Sequence, residues 1–180
     1  MSLPRRLAYR CYRMMPGKLR TRMVRMFTPN FTVGAVVLLR DESSRLLMVR
    51  KPGERGWSLP GGLLNRHESP AAAARRELFE ETGVEVSEVT SAQPNALLYP
   101  RAQQVDMVFT ATVDSSVSLK PDRVEIEQAA WHDMSRLPEV TVATARLLAA
   151  FQSGPYADYL PDAPDSAQAI AALVKPAPKK

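Results

Sequence analysis

Apolar side chains near the start of the chain recur every three to four positions, the spacing of one helix face. They fall in two stretches, residues 3–15 and 18–27, and Pro16-Gly17 between them ends the first stretch. Thr28-Pro29-Asn30 ends the second. The pattern therefore predicts two short helices, followed by a fold that begins near residue 30.

Past residue 30 the hydrophobic pattern changes to that of a mixed α/β domain. Continuous or alternating apolar runs predict strands at 31–39, 46–49, 84–90, 104–113 and 127–132. Ser69 as N-cap, Pro70 at the first helical position and Gly83 as C-terminal stop predict a helix over 70–82. Helical spacing returns at 141–151, where we expect a further helix.

Composition divides the chain into three parts. Residues 1–29 form a basic amphipathic extension, 30–153 have the composition of a folded domain, and 154–180 form a tail rich in Pro and Ala. Within the tail, 165–174 are compatible with a short helix. We therefore expect one domain with an extension at each end.

The formal net charge of +5 comes from one end of the chain. Residues 1–30 contain eight Lys and Arg and no acid, whereas the rest contains 16 basic and 19 acidic residues. The single cysteine, Cys11, cannot form an internal disulfide, and no Cys and His cluster has zinc spacing. No signal-peptide pattern is found, and the apolar run at 31–39 is too short for a membrane span. These features favour a cytoplasmic protein.

Three roles are open for the basic N-terminal helices. The first is packing of their apolar residues on the chain's own domain or on a second copy in a homodimer, because amphipathic helices usually bury that face. The second is binding to an anionic membrane surface. Nucleic acid ranks third, since Tyr9 and Tyr12 supply few aromatic side chains and no nucleic-acid-binding motif accompanies the charge.

Three carboxylates carry the candidate chemistry. Glu77, Glu80 and Glu81 fall within roughly 100° of one face of the helix expected at 70–82. Glu77 and Glu81 are a like-charge pair four residues apart, which weakens a helix by a few tenths of a kcal/mol. No Lys or Arg follows three or four residues later to relieve it. A solvated acidic face is one interpretation, and a site for a hard divalent cation is the other.

The surrounding residues decide between these interpretations. The defining positions of the Nudix box are filled by Gly62, Glu68, Arg76, Glu77, Leu78, Glu80, Glu81, Gly83 and Val84. The chain therefore resembles the Nudix hydrolase family, and the likeness extends over about residues 31–151, including the approach 57–61 and the segment from Glu125 to Trp131. The resemblance implies an α/β/α sandwich around a mixed sheet.

The resemblance also implies roles for single residues. Glu77, Glu80, Glu81 and the main-chain carbonyl of Gly61 look like the family's ligands for Mg²⁺, with Mn²⁺ as a possible substitute. Glu68 and Arg76 resemble the ion pair that braces the loop against the helix, and Gly62 supports the same turn. Glu80 or Glu81 would assist deprotonation of the attacking water. Glu125 is a further candidate for the general base.

The implied reaction is hydrolysis of a diphosphate linkage in a nucleoside diphosphate joined to another group, such as ADP-ribose, a nucleotide sugar or a (d)NTP. Candidate substrate contacts are Arg50, with Lys51 and Arg55 near it, and the aromatic residues Trp57 and Tyr99. Each has a purely structural alternative, as does Pro100, which resembles a proline of the ADP-ribose pyrophosphatase subgroup. The alternative function is a non-catalytic Nudix-fold module that senses a nucleotide.

Overall fold

The computed structural model describes residues 9–10, 12–100 and 102–156. Its helices are α1 (Gly17–Phe27), α2 (Pro70–Thr82) and α3 (Val142–Ala150), followed by a 3₁₀ turn at Gly154–Tyr156. Its strands are β1 (Thr32–Asp41), β2 (Leu46–Arg50), β3 (Gly61–Leu63), β4 (Thr90–Tyr99), β5 (Gln104–Val113) and β6 (Gln128–His132). Helical backbone also occurs at 9–10 and 12–14.

The strands form one six-stranded mixed sheet in the order β4-β5-β1-β2-β6, with β3 paired to β1. β1 and β5 run parallel, in register from Thr32 opposite Gln104 to Asp41 opposite Val113. All other pairings are antiparallel. The long β1 strand therefore lies between β5 and β3, and its residues near Ala35 are covered on both edges.

Each face of the sheet is covered by one helix. Alternate residues of β1 divide between two cores, so that Val37 faces α2 and Leu38 faces α3. Leu78 of α2 and Leu148 of α3 are fully buried in these cores. The predicted α/β class is confirmed, with a mixed sheet between helices.

The boundaries of α2 follow from local chemistry that the sequence shows. The Ser69 hydroxyl accepts a hydrogen bond from the Ala72 N–H at 3.3 Å, and Pro70 occupies the first helical position. Gly83 has φ of 72° and donates its N–H to Phe79 at 2.8 Å. The predicted helix over 70–82 is therefore confirmed at both ends.

One predicted strand was wrong. Residues 84–89 are not a strand, and the strand that follows α2 is β4 instead. Val84, Val86 and Val89 are apolar because they pack into the core that α2 covers, without a strand ladder. β4 went unrecognised because it contains Pro94 and a bulge between Ser91 and Ala96, which interrupt the alternation. The strand at 104–113 was predicted correctly.

The N-terminal helix differs from the first expectation. None of the α1 residues is buried, and Leu19, Met26 and Phe27 expose 53%, 74% and 82% of their surface. The expected packing of α1 on its own domain is therefore wrong for the described residues, and packing on a second copy stays a prediction. In the described part of the chain, no helix is both long and apolar enough to cross a membrane. The helix expected at 165–174 lies outside the described residues.

Candidate active site

The acidic face of α2 meets the glycine turn that opens β3. Glu81 points inward and is only 3% exposed. The Gly61 N–H donates to its Oε2 at 2.9 Å, and the Lys51 ammonium donates to its Oε1 at 2.8 Å. Lys51 comes from the end of β2, so this pair ties the β2–β3 connection to the helix.

Burial and ion pairing act against each other at this pair. Burial raises the pKa of Glu81, and the Lys51 ammonium and the Gly61 N–H only partly offset that effect. Burial alone would lower the pKa of Lys51, but its hydrogen bond to Glu81 outweighs this, so the pKa of Lys51 is raised. Lys51 and the Gly61 N–H therefore favour the charged form of Glu81, and burial opposes it.

Glu77 lies directly against the second glycine of the turn. A Cβ placed on Gly62 would overlap the Glu77 carboxyl group, and one on Gly61 would overlap the backbone of Ala35 in β1. Glycine is needed at both positions because the Glu77 side chain lies so close to Gly62 and strand β1 lies so close to Gly61. The Gly61-Gly62 turn thus brings the carboxyl groups of Glu77 and Glu81 to the same short stretch of backbone.

Arg76 links the remaining acids of this region. Its Nε and Nη2 donate to the two oxygens of Glu68 at 2.8 and 3.0 Å. Its Nη1 donates to Glu77 and to Glu80, both at 2.8 Å, and Nη2 also reaches the Leu63 carbonyl at 3.1 Å. One guanidinium therefore fastens the loop after β3 to the helix through its planar fork.

The contact with Arg76 strongly stabilises the charged form of Glu68. The hydrogen bond from Arg76 comes first and that from the Asn65 N–H second in lowering the pKa of Glu68 to about 2. Glu68 raises the pKa of Arg76 in turn. The pair keeps both charges across the physiological range, so the loop remains fastened to α2.

The donor set fits a hard divalent cation better than zinc. Glu77 and Glu81 offer carboxylate oxygens at the glycine turn, and no Cys or His accompanies them there. Among the described residues, no three Asp, Glu, His or Cys side chains are already placed together so that they could hold a metal ion. Glu80 instead extends toward Arg76 with its side chain 53% exposed. Lys51 and Arg76 supply the positive charge that three neighbouring carboxylates require.

A cavity of about 420 Å³ opens beside the turn, on the α3 side of the sheet. Gly61 and Lys51 lie where it meets the acidic residues. Its walls also include polar groups from β4, β5 and the start of α3, namely Tyr99, Gln104, Asp106, Thr141 and Thr144. Its volume suits a small-molecule ligand.

A family model described as the NUDIX domain matches residues 30–151. The chain belongs to the Nudix hydrolase family. It is 34% identical over 110 residues to a MutT-like protein of Streptomyces ambofaciens, covering 56% of this chain and 71% of that protein. The family assignment is consistent with the acidic helix and glycine turn described above.

Solved Nudix structures share the fold at low identity. A MutT NUDIX hydrolase of Burkholderia pseudomallei superposes with a TM-score of 0.55 at 23% identity, covering 67% of this chain and 95% of that one. The NUDIX domain of Shewanella oneidensis NrtR, complexed with ADP ribose, superposes with a TM-score of 0.56 at 16% identity. The match covers 84% of this chain and 97% of that one. These likenesses show the fold alone.

The substrate-contact residues that the sequence suggested lie in different places in the Nudix fold. Tyr99 lines the cavity, whereas Arg50 and Trp57 do not. Arg50 pairs with Glu127 at 2.9 Å and lies 5.9 Å from the Trp57 ring centre, and that ring packs edge-on against His132. These contacts support a structural role for Arg50 and Trp57.

Glu125 is not brought to the Nudix helix by any contact in the structure. It lies in the turn before β6 with an exposed side chain, and it makes no ion pair with the residues described. Its role as general base stays a prediction.

Two residues of the Nudix site were missed by sequence reasoning. The sequence suggested Lys51 only as a phosphate contact, although its ammonium offsets the negative charge of Glu81. The two residues are too far apart in the sequence for this ion pair to be predicted. The alternating pattern of 104–113 predicts that Asp106 lies on the polar, solvent-facing side of its strand, but it is only 6% exposed. The available signal was Val108, which shares that face of β5 and is fully buried.

Proposed function

We propose that this Nudix protein hydrolyses a phosphoanhydride bond in a nucleoside diphosphate linked to another group, with Mg²⁺ as cofactor and Mn²⁺ as a substitute. ADP-ribose, nucleotide sugars and (d)NTPs are the candidate substrates. The observation that supports this most is the convergence of Glu77 and Glu81 on the Gly61-Gly62 turn within a complete Nudix box. We assign the catalytic unit to residues 30–153.

In this proposal Glu77, Glu80, Glu81 and the Gly61 carbonyl would hold the cation. When bound, a divalent ion would neutralise charge on the phosphates and activate the attacking water. Glu80 or Glu81 would accept the proton of that water, with Glu125 as the further candidate. Lys51, which pairs with Glu81 and lines the cavity, would supply positive charge to the substrate phosphates at the cavity mouth. Glu68 and Arg76 hold the loop in position.

The test is a panel of dinucleotides, nucleotide sugars and nucleoside triphosphates, with phosphate read after phosphatase coupling. We expect turnover that requires Mg²⁺ or Mn²⁺ and stops with EDTA. Glu81→Gln should remain folded and lose most activity and metal affinity. Glu88→Gln, on an exposed acid outside the site, is the matched control. Full activity of the Glu81 variant would contradict these roles.

A nucleotide-sensing module remains the alternative function. Such a protein would bind a nucleotide tightly and turn over none of the panel, with or without metal. The complete set of acids at Glu77, Glu80 and Glu81 favours catalysis. The same panel, combined with equilibrium binding, therefore separates the two functions.

The exposed face of α1 favours an additional contact with anionic lipid. Leu19, Met23, Met26 and Phe27 share one side of the helix, while Arg and Lys residues flank it, and α1 contains no acid. A basic amphipathic helix of this kind lies in the plane of a membrane surface. We infer that α1 brings the protein to such a surface from the cytoplasmic side.

Vesicle sedimentation of the full chain tests this inference. We expect binding to vesicles that contain phosphatidylglycerol, weakening as salt is raised, and little binding to phosphatidylcholine alone. A variant with Leu19→Gln and Phe27→Gln should stay in the supernatant. Equal recovery of both proteins in the supernatant would remove the lipid role. A concentration-dependent dimer that this variant abolishes would assign the face to a second copy.

A further inference from the structure

Asp106 is a buried carboxyl group that the proposed metal site does not use. It lies on β5 opposite Gly34, and a Cβ on Gly34 would crowd its Oδ1. Gln104 donates to Oδ1 at 2.6 Å. Within the described chain no cation pairs with Asp106, and Oδ2 accepts no hydrogen bond. A buried carboxylate without such partners is costly, which indicates that a ligand completes its contacts.

The Tyr99 hydroxyl lies near Asp106 and is also buried without a full set of hydrogen-bond partners. Tyr99 is opposite Gln104 on the neighbouring strand, so its side chain shares a face of the sheet with Asp106. Its Oη is buried and has no hydrogen-bond partner among the residues described. Burial, and then the nearby Asp106, raise the pKa of Tyr99 to about 12, so the hydroxyl keeps its proton and can donate.

Both residues line the cavity that also includes Gly61 of the Gly61-Gly62 turn. A nucleotide whose diphosphate lies at the turn can therefore place its nucleoside toward β4 and β5. In that wall of the cavity Asp106 offers two carboxylate oxygens, of which Oδ1 also accepts from Gln104, and Tyr99 offers one hydroxyl donor. The order of acceptors and donor in this wall determines which nucleobase can form hydrogen bonds with all of them.

Guanine matches that pattern. Its Watson–Crick edge presents two adjacent donors, N2–H and N1–H, followed by the O6 acceptor. Adenine and cytosine place an acceptor nitrogen beside the amino group, and uracil has one donor between two carbonyls. We propose that Asp106 and Tyr99 make this site selective for guanosine diphosphate derivatives, an inference that rests on the proposed function. Asp106 accepts from N1 and N2, and Tyr99 donates to O6.

Burial raises the pKa of Asp106, with the Gln104 hydrogen bond opposing that effect. Two N–H donors from guanine would act with Gln104 against this effect of burial and favour the ionised form. Bidentate recognition of this kind discriminates between bases by roughly ten-fold or more. The expected preference is therefore large enough to measure both in turnover and in binding.

The experiment compares GDP-glucose, ADP-glucose, CDP-glucose and UDP-glucose, which differ only in the base. We expect kcat/KM for GDP-glucose to exceed the others about ten-fold or more. Asp106→Asn replaces one acceptor by a donor, so it should lose that preference and gain affinity for xanthosine diphosphate, whose C2 carries a carbonyl. Tyr99→Phe should lower GDP affinity without that gain. Asp114→Asn, on an exposed carboxylate just after β5, is the control.

Calorimetric binding of GDP, ADP and xanthosine diphosphate in EDTA gives a readout that needs no catalysis. Metal-dependent hydrolysis with no base preference, or an Asp106→Asn protein that keeps the wild-type preference, would overturn this inference and leave the proposed function standing. Selective GDP binding that Asp106→Asn abolishes, without hydrolysis of any substrate, would support the inference and refute the proposed hydrolysis. Absence of both binding and turnover would overturn both.

Discussion

Replacing Lys51 by Met should weaken the fold in a way that a divalent cation repairs. Lys51 is the only basic side chain among the described residues that forms an ion pair with Glu81. The substitution keeps most of the stem and removes the ammonium, so the buried Glu81 loses its partner. Burial, which already raises the pKa of Glu81, then acts without that compensation.

The size of the effect follows from the exposure of the two side chains. Glu81 is 3% exposed and Lys51 is 35% exposed. Exposed pairs contribute under about 1 kcal/mol, whereas breaking a buried pair costs about 3–5 kcal/mol. This pair lies between those cases, and we expect Lys51→Met to lower the free energy of unfolding by about 1–3 kcal/mol in EDTA.

Urea unfolding in EDTA and in Mg²⁺ measures both parts of this prediction. Mg²⁺ should stabilise Lys51→Met more than the wild-type protein, because the wild-type ammonium competes with the ion for Glu81. Lys120→Met, on an exposed lysine without an ion pair in the described structure, should change little in either condition. Equal stability of Lys51→Met and wild type in EDTA, or equal gains from Mg²⁺, would refute the reasoning.

Three further changes probe the same region. Gly62→Ala should displace the Glu77 carboxyl group and lower kcat strongly with unaltered circular dichroism, so wild-type kinetics would contradict the close contact. Because the folded pKa of Glu68 is about 2 against an ordinary 4.5, its stabilisation should be complete above pH 4.5 and disappear as pH falls toward 2. An acid titration of Glu68→Gln should lack that component. Leu78→Ala should cost about 2–5 kcal/mol in urea unfolding.

Local signals in the sequence were sufficient for the helix that carries the acids. Ser69, Pro70 and Gly83 act on their immediate neighbours, so the ends of α2 could be predicted to the residue. The parallel partner of β1 could be predicted as a strand because apolar residues recur at every second position, at Val105, Met107 and Phe109. Such features depend on chain positions a few residues apart.

Contacts between distant residues could not be predicted in the same way. Lys51 and Glu81 are 30 positions apart, and only the packing of α2 against the sheet brings them together. Asp106 looked solvent-facing because an alternating strand is normally half exposed, whereas α3 covers that side of β5. β4 was hidden because its bulge and Pro94 break the period of two. In each case tertiary packing overrides the local pattern.

The central claim is that water attacks a phosphoanhydride bond at the turn where α2 meets Gly61-Gly62. Hydrolysis of GDP-glucose or ADP-ribose in ¹⁸O-water with Mg²⁺, followed by mass spectrometry of the products, tests it directly. We expect one ¹⁸O atom on a single phosphoryl product, none on the sugar, and no label in EDTA or with Glu81→Gln. Label on the sugar carbon, or identical label incorporation by the Glu81 variant, would contradict the claim.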